Sequence, residues 1–180
     1  EAVANLLLDH KADPNGATVA WEPDELKSCE ATPLILAIKA GLPPWMVIRL
    51  LEAGADPAVS VEVKRYQIID GKKAAYRIDP LGEAIQRRNP EIARALLTHG
   101  ANPNPAPGAT SSPLMAAIGS IPTKDAKPGA TEDPIVDARL DAGADWKASS
   151  ALPTAASRGF VGWMGKALEA GCEVDSVVGF

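Results

Sequence analysis

Aromatic side chains are scarce in this chain, at 4% of 180 residues. Ala and Leu must therefore do most of the packing, which suits closely stacked helices. Cysteine is nearly absent too. Cys29 and Cys172 stand far apart, in no CxxC or Cys/His cluster. That excludes a disulfide-stapled scaffold and reads as two reduced thiols in an intracellular, cytoplasmic protein. No apolar run reaches the roughly 18–20 residues that cross a bilayer. No leader pattern opens the chain, and direct membrane insertion is not expected. Positive charge is in deficit: the net charge is −5, which disfavours nucleic acid as a partner.

What is present is a repeated phrase. It runs Leu7-Leu8-Asp9-His10-Lys11-Ala12-Asp13-Pro14, then Leu50-Leu51-Glu52-Ala53-Gly54-Ala55-Asp56-Pro57, then Leu96-Leu97-Thr98-His99-Gly100-Ala101-Asn102-Pro103. Arg139-Leu140-Asp141-Ala142-Gly143-Ala144-Asp145 and Ala167-Leu168-Glu169-Ala170-Gly171-Cys172-Glu173 are looser copies. The phrase encodes a helix end. Leucines bury one face, and Gly takes the left-handed position that stops the helix. Lys11 stands at that position in the first copy, at a cost on the order of 1 kcal/mol.

A second phrase opens helices. Thr32-Pro33-Leu34, Asp79-Pro80-Leu81 and Ser112-Pro113-Leu114 each offer a side-chain oxygen to cap free N–H groups, followed by Pro where no donor is needed. Ser150-Ala151-Leu152 is a degenerate copy. Ala37, Ala84, Ala117 and Ala155 follow each Leu by three residues. Asn89-Pro90-Glu91, Asp133-Pro134-Ile135 and Pro43-Pro44 open the second helices in the same manner.

Together these phrases resemble the ankyrin repeat, with its TPLxxA helix, turn, LLxxGAD helix end and β-hairpin loop. The resemblance implies one mostly α domain over 1–180, an ankyrin-repeat solenoid of stacked helix pairs with one extended β-hairpin finger. It divides into a half unit 1–14, an insertion 15–31, a unit 32–57, a hairpin insertion 59–78, a unit 79–104, a unit with a loop insertion 111–146, and a unit 150–175. The uneven spacing of Leu34, Leu81, Leu114 and Leu152 departs from the family period of about 33 residues and marks the insertions. The chain begins at Glu1, inside a helical pattern, as a fragment or processed product would.

The insertion 15–31 mixes turn residues with Trp21, which is expected to pack on the first unit. In 59–78, Val59, Val61 and Val63 alternate with polar residues, as in a strand, and Asp70-Gly71 reads as a two-residue turn. Counting outward pairs Ile69 with Lys72, Tyr66 with Ala75, Arg65 with Tyr76 and Val63 with Ile78. The apolar phase shifts between Val63 and Tyr66, which points to a bulge. From 64 to 77, Lys64, Arg65, Lys72, Lys73 and Arg77 stand against Asp70 alone. Such a finger could steer an acidic partner, although edge lysines also serve to block aggregation. The loop Ile121–Glu132 reads as mobile, most of all across Lys124–Thr131.

Chemistry is hard to find. His10 and His99 fall at equivalent repeat positions, so they read as helix-end residues rather than a metal pair or a base. Asp13, Asp56 and Asp145 read as turn-forming repeat positions. Ser111-Ser112 and Ser149-Ser150 sit at caps with no His beside them. No catalytic residue, metal or cofactor is expected. Trp45 and Trp163 are expected to pack between units, and Trp146 to be offered to a partner.

The resemblance implies a protein-interaction module or scaffold subunit, used alone or in a larger assembly, that holds an acidic protein on its concave face and finger tips. Carried over by position, that surface contains Lys39 and Ala40, Gln86 and Arg87, and Ser157 and Arg158. The finger adds Lys64, Arg65, Tyr66, Lys72, Lys73, Tyr76 and Arg77, with Trp146 beside them. A different reading makes the chain a regulatory or targeting segment of a larger enzyme or membrane protein. A hydrolase hidden in the insertions ranks last, since no nucleophile–base pair is visible. If the leucines lie between units, Leu51→Ala and Leu97→Ala should each cost about 2–5 kcal/mol in an unfolding titration.

Overall fold

The structure is a computed structural model. It describes residues 5, 8–16, 18–22, 25–69, 72–104, 113–119, 121, 133–146 and 151–172, and side chains for all of these except 18–22, 25–30, 62–69, 72–77, 113 and 116.

The described elements are mostly helical. In chain order they are β1 (Thr18–Glu22), β2 (Glu25–Ala31), α1 (Pro33–Lys39), α2 (Pro44–Glu52), β3 (Val61–Ile69), β4 (Lys72–Ile78), α3 (Pro80–Gln86), α4 (Pro90–Thr98), α5 (Pro113–Gly119), α6 (Pro134–Asp141), α7 (Ala151–Ser157) and α8 (Val161–Glu169). Leu8 and Asp9 are also helical, and the chain turns at His10. Two compact units divide the chain. The first holds Glu1–Ala84 with His99–Ala101, the second Ile85–Thr98 with Asn102–Phe180.

Helix starts follow the capping rule. Thr32 Oγ1 accepts from Ile35 N at 3.4 Å, Asp79 Oδ1 from Gly82 N at 2.8 Å, and Asn89 Oδ1 from Ile92 N at 3.0 Å. Asp133 Oδ1 accepts from both Ile135 N and Val136 N, at 3.0 and 3.2 Å. Each cap satisfies a backbone donor that the first helical turn leaves open. Pro43 offers no such oxygen, and α2 begins without a side-chain cap.

Helix ends obey one rule as well. Gly54, Gly100, Gly143 and Gly171 have φ of 93°, 96°, 84° and 80°. Around Gly54, the Gly54 N–H bonds to the Leu51 carbonyl at 3.0 Å and the Ala55 N–H to the Leu50 carbonyl at 2.9 Å. Gly143 with Ala144 and Gly171 with Cys172 repeat this doubly bonded ending. Lys11 adopts φ of 60° in the first copy, with its N–H on the Leu8 carbonyl at 2.9 Å.

In the first unit α1 packs on α2, and β2 runs beside β3. The ladders β1–β2 and β3–β4 stay separate, each antiparallel. A small core of Ala31, Ile35 and Ile78, with Leu36, Val59 and Val61 against it, seats the base of both ladders on α1. The β1–β2 pair was not expected of the insertion 15–31; its turn residues concealed two strands. Trp21 lies in β1, but its side chain is outside the described residues, as is that of Cys29 in β2.

The β3–β4 register partly corrects the count from Asp70-Gly71. Ile69 pairs with Lys72 and Tyr66 with Ala75, and the register shifts between Val63 and Tyr66. Beyond the shift, however, Val63 faces Tyr76 rather than Ile78, and Val61 faces Ile78. Arg65 does not pair with Tyr76. The irregularity takes up two residues of β3, Lys64 and Arg65, with none opposite on β4.

In the second unit helices pack within pairs and between them. α5 lies on α6 and α7 on α8. Across pairs, α4 lies on α6 and α5 on α7. First helices thus meet first helices, and second meet second. Ala117 and Ala155 are fully buried in α5 and α7, where small side chains let these helices approach. Phe160 and Trp163 meet edge to face, with ring centroids 4.8 Å apart. The loop across Lys124–Thr131 lies outside the described residues.

Burial also corrects the leucine reading. Leu50, Leu96 and Ala167, first of each pair, are buried. The second position degrades along the chain: Leu51 is buried, Leu97 and Leu140 are half-buried, and Leu168 is 43% exposed. Cβ positions recur at three and four residues, so one position faces the neighbouring helices squarely and the next lies at the rim. Leu96→Ala should therefore cost about 2–5 kcal/mol, while Leu97→Ala should cost roughly half as much or less. Urea titration of the two variants checks this; equal losses would place both leucines in the core.

Candidate functional site

The turn after three of the helix stops is built by one side chain. Asp13 Oδ1 accepts from Asn15 N, Asp56 Oδ1 from Ala58 N, and Asn102 Oδ1 from Asn104 N, all at 2.9 Å. These carboxylates and the amide organise loops. Two of the turns also carry a clip to the next repeat. Asn15 Nδ2 donates to the Gly54 carbonyl at 2.9 Å, and Asn15 Oδ1 accepts from Asp56 N at 2.7 Å. Asn104 does the same, 3.3 Å to the Gly143 carbonyl and 2.7 Å from Asp145 N. The partners lie 39 and 41 residues on in both cases.

The candidate residues fall into three groups. Seven belong to the β3–β4 ladder. Lys72 stands opposite Ile69, Lys73 opposite Ile68, Tyr76 opposite Val63, Tyr66 opposite Ala75 and Arg77 opposite Glu62. Lys64 and Arg65 occupy the register shift. Arg77 is thus placed across from a carboxylate residue, the arrangement in which cross-strand charges offset each other. The other four cations have no acidic residue opposite them. Of these seven the backbone position is described and the side chain is not.

A second group lies at helix ends. Lys39 closes α1 and is half-buried, whereas Gln86 and Arg87 are exposed at the end of α3. Ala40 and Ser157 are exposed too.

The third group is corrected by the structure. Trp146 is only 6% exposed and belongs to the core of its unit, so its indole is not offered to a partner. It follows the Gly143 stop, where the chain turns back onto the helices instead of outward. Arg158 is spent internally: its Nη1 donates to the Ile121 carbonyl at 2.6 Å and its Nη2 to the Gly119 carbonyl at 2.7 Å. It holds the segment that leaves α5, where helix carbonyls lack partners. Trp163 is buried and Trp45 half-buried.

Two structural arginines escaped sequence reasoning. Arg88 adopts φ of 52° and its N–H bonds to the Ile85 carbonyl at 2.9 Å, so it ends α3 where Gly41 and Gly159 end α1 and α7. Its Nη2 meets Asp133 Oδ2 at 2.5 Å. Asp133, buried, therefore caps α6 with one oxygen and holds Arg88 with the other. Arg139 sits fully buried where three of the other copies place Leu, and donates to the Pro103 carbonyl. A charged residue at an apolar repeat position was the available signal for Arg139. For Arg88 the signal was its place, one residue before an Asn-Pro helix start.

His10 and His99 are both exposed. Among the described residues no group of three or more His, Cys, Asp or Glu side chains is placed to hold a metal ion. Ser111, Ser112, Ser149 and Ser150 lie outside the described residues. Among the described residues no helix is long and apolar enough to cross a membrane. Cys172 is a buried free thiol. No family model matches the chain, and no curated protein matches it.

Arg158→Ala should cost about 1–3 kcal/mol, since two carbonyls lose a charged donor. Thermal melts of the variant check this; an unchanged melting temperature would show that the two bonds contribute nothing to the fold.

Proposed function

We propose that this chain is a non-catalytic protein-binding module of the ankyrin-repeat type, working in the cytoplasm, and that its β3–β4 ladder receives an acidic surface of the partner. The observation that carries this reading is the ladder's charge pattern. Five cations stand between 64 and 77 against Asp70 alone, on a chain of net charge −5, and only Arg77 has an acidic residue across the ladder. Opposed signs of that kind steer a partner to one region and raise its rate of encounter.

The repeat reading rests on recurrence in detail. Capped starts, left-handed stops, side-chain turns and asparagine clips return in copy after copy. In the second unit, first helices pack on first and second on second, as a stack of helix pairs requires. The finger is the lengthened loop between one helix end and the next TPL-like start. Its base is fixed by Ile78 and Val61 against Ile35, so the charged part is carried on a supported stem. Lys39 extends the binding surface within the first unit; Gln86 and Arg87, exposed in the second unit, are proposed as partner contacts of that unit. Trp146 and Arg158 are left out of it.

Reversing two charges tests the proposal: the K72E/K73E chain is compared with the unaltered chain for partners captured from cells. Association should slow by roughly tenfold or more, with a weaker dependence on salt. Unchanged affinity and salt dependence would remove the ladder from the site.

A further inference from the structure

Asn15 and Asn104 make the same clip, but their chemical fates differ because of the residue that follows. Asn15 precedes Gly16 and Asn104 precedes Pro105. Of the five asparagines, Asn89, Asn102 and Asn104 are followed by Pro and Asn5 by Leu. Only Asn15 has glycine after it. We propose that Asn15 is a site of spontaneous deamidation, and that its conversion opens the clip holding the 13–16 turn to the Gly54–Asp56 turn.

The reaction needs no enzyme. The Gly16 backbone nitrogen gives up its proton to solvent base and attacks Asn15 Cγ. A new C–N bond closes a succinimide ring while the Cγ–Nδ2 bond breaks, and the side-chain nitrogen leaves as ammonia after taking up a proton. Water then opens the ring at either carbonyl, leaving aspartate or isoaspartate at position 15. Glycine favours this step because no side chain hinders its nitrogen. Proline at position 105 bars it at Asn104, because its nitrogen carries no proton to lose.

The fold both restrains the reaction and is its target. Asn15 is exposed, yet its side chain is anchored at both ends, to the Gly54 carbonyl and the Asp56 N–H. Gly16 N is turned toward the Asp13 carbonyl at 3.4 Å. Attack therefore requires the clip to open, and the rate reports how often it does. The product restores at most half of the clip. An aspartate oxygen can still accept from the Asp56 N–H, but it has no hydrogen to give the Gly54 carbonyl and sets negative charge against it, while isoaspartate lengthens the backbone and carries the oxygen away from both partners. The first repeat is poorly placed to absorb that loss. Lys11 holds its helix stop at φ of 60°, a strain on the order of 1 kcal/mol that Gly100 does not carry. Among the described residues, the Asp9–Arg49 ion pair at 2.7 Å then remains to tie this segment to α2. Conversion acts as a one-way clock that loosens the start of the chain.

The test holds the full chain at mildly alkaline pH, folded and in denaturant, and maps aspartate and isoaspartate by digestion and mass spectrometry. Conversion should appear at Asn15 in the folded chain, ahead of the other four asparagines, and faster in denaturant. Gly16→Ala should slow it several-fold. Its added Cβ would meet the Asp13 carbonyl at 3.4 Å, an ordinary contact that the fold tolerates. Amide exchange at Asp56 should accelerate in the isoaspartate form, and Asn15→Asp, which keeps that acceptor but loses the bond to the Gly54 carbonyl, should lower the melting temperature. The proposal fails if Asn15 stays intact in the folded chain after full conversion in denaturant, if Gly16→Ala converts as fast, or if exchange at Asp56 is unmoved in the isoaspartate form.

Discussion

Each described helix that stops at a repeat position does so because one residue turns left-handed, and much of the architecture depends on where that happens. The left-handed residue lets two successive N–H groups reach back to carbonyls that the helix leaves open. It also redirects the chain by a fixed amount. Because the stop comes at the same place after the leucines, Asp13, Asp56 and Asn102 each find the N–H two residues on, and these three turns close alike. The asparagine clips then follow from that identity, since Asn15 and Asn104 reach targets at matching separations. Remove the left-handed residue and the turn, the clip and the next helix start all lose their register together.

Lys11 and Arg88 show that the constraint is stronger than the residue preference. Neither is glycine, and both are held at positive φ. Arg88 has a compensation on the page: its guanidinium meets Asp133, which caps α6 at the same time. One buried carboxylate thus satisfies two backbone donors and a cation, which is how a buried charge escapes a large desolvation penalty. Glycine at position 88 would relieve the strain and leave Asp133 without its arginine. Arg139 fills a leucine's place and donates a hydrogen bond to the Pro103 carbonyl.

This explains what could be read from the residues alone. Helix starts and stops were legible because they are local: a capping oxygen, a proline and a glycine act within one turn. The two tiers of leucine were not, because both leucines satisfy the same pattern, and only the packing of neighbouring helices separates core from rim. The β1–β2 pair was missed for another reason. Thr18-Val19-Ala20-Trp21-Glu22 is strand-like and Pro23-Asp24 is a turn signal, but Glu25–Ala31 mixes charge and small residues with weak alternation. A strand of that kind is defined by its partner. Trp146 was misjudged because its place after a helix stop says where the chain turns, while packing within the unit buries the indole.

The basic ladder is where local reading and packing must be weighed together. Lysines on a short exposed strand prevent edge-to-edge pairing whatever else they do, so their number alone argues little. Their distribution argues more. Protection of an edge calls for charge along the paired strands and gains nothing from a register shift. Here two of the five cations, Lys64 and Arg65, fall in the shift itself, where β4 supplies no opposite residue. Bulges bend a strand and raise its twist, and they recur where a side chain must be re-aimed. Near the base, by contrast, Arg77 stands across from Glu62, and the apolar pair Val61–Ile78 closes the core. Charge that offsets itself near the stem and goes unmatched beyond it is the gradient expected of a surface that works on something outside the chain.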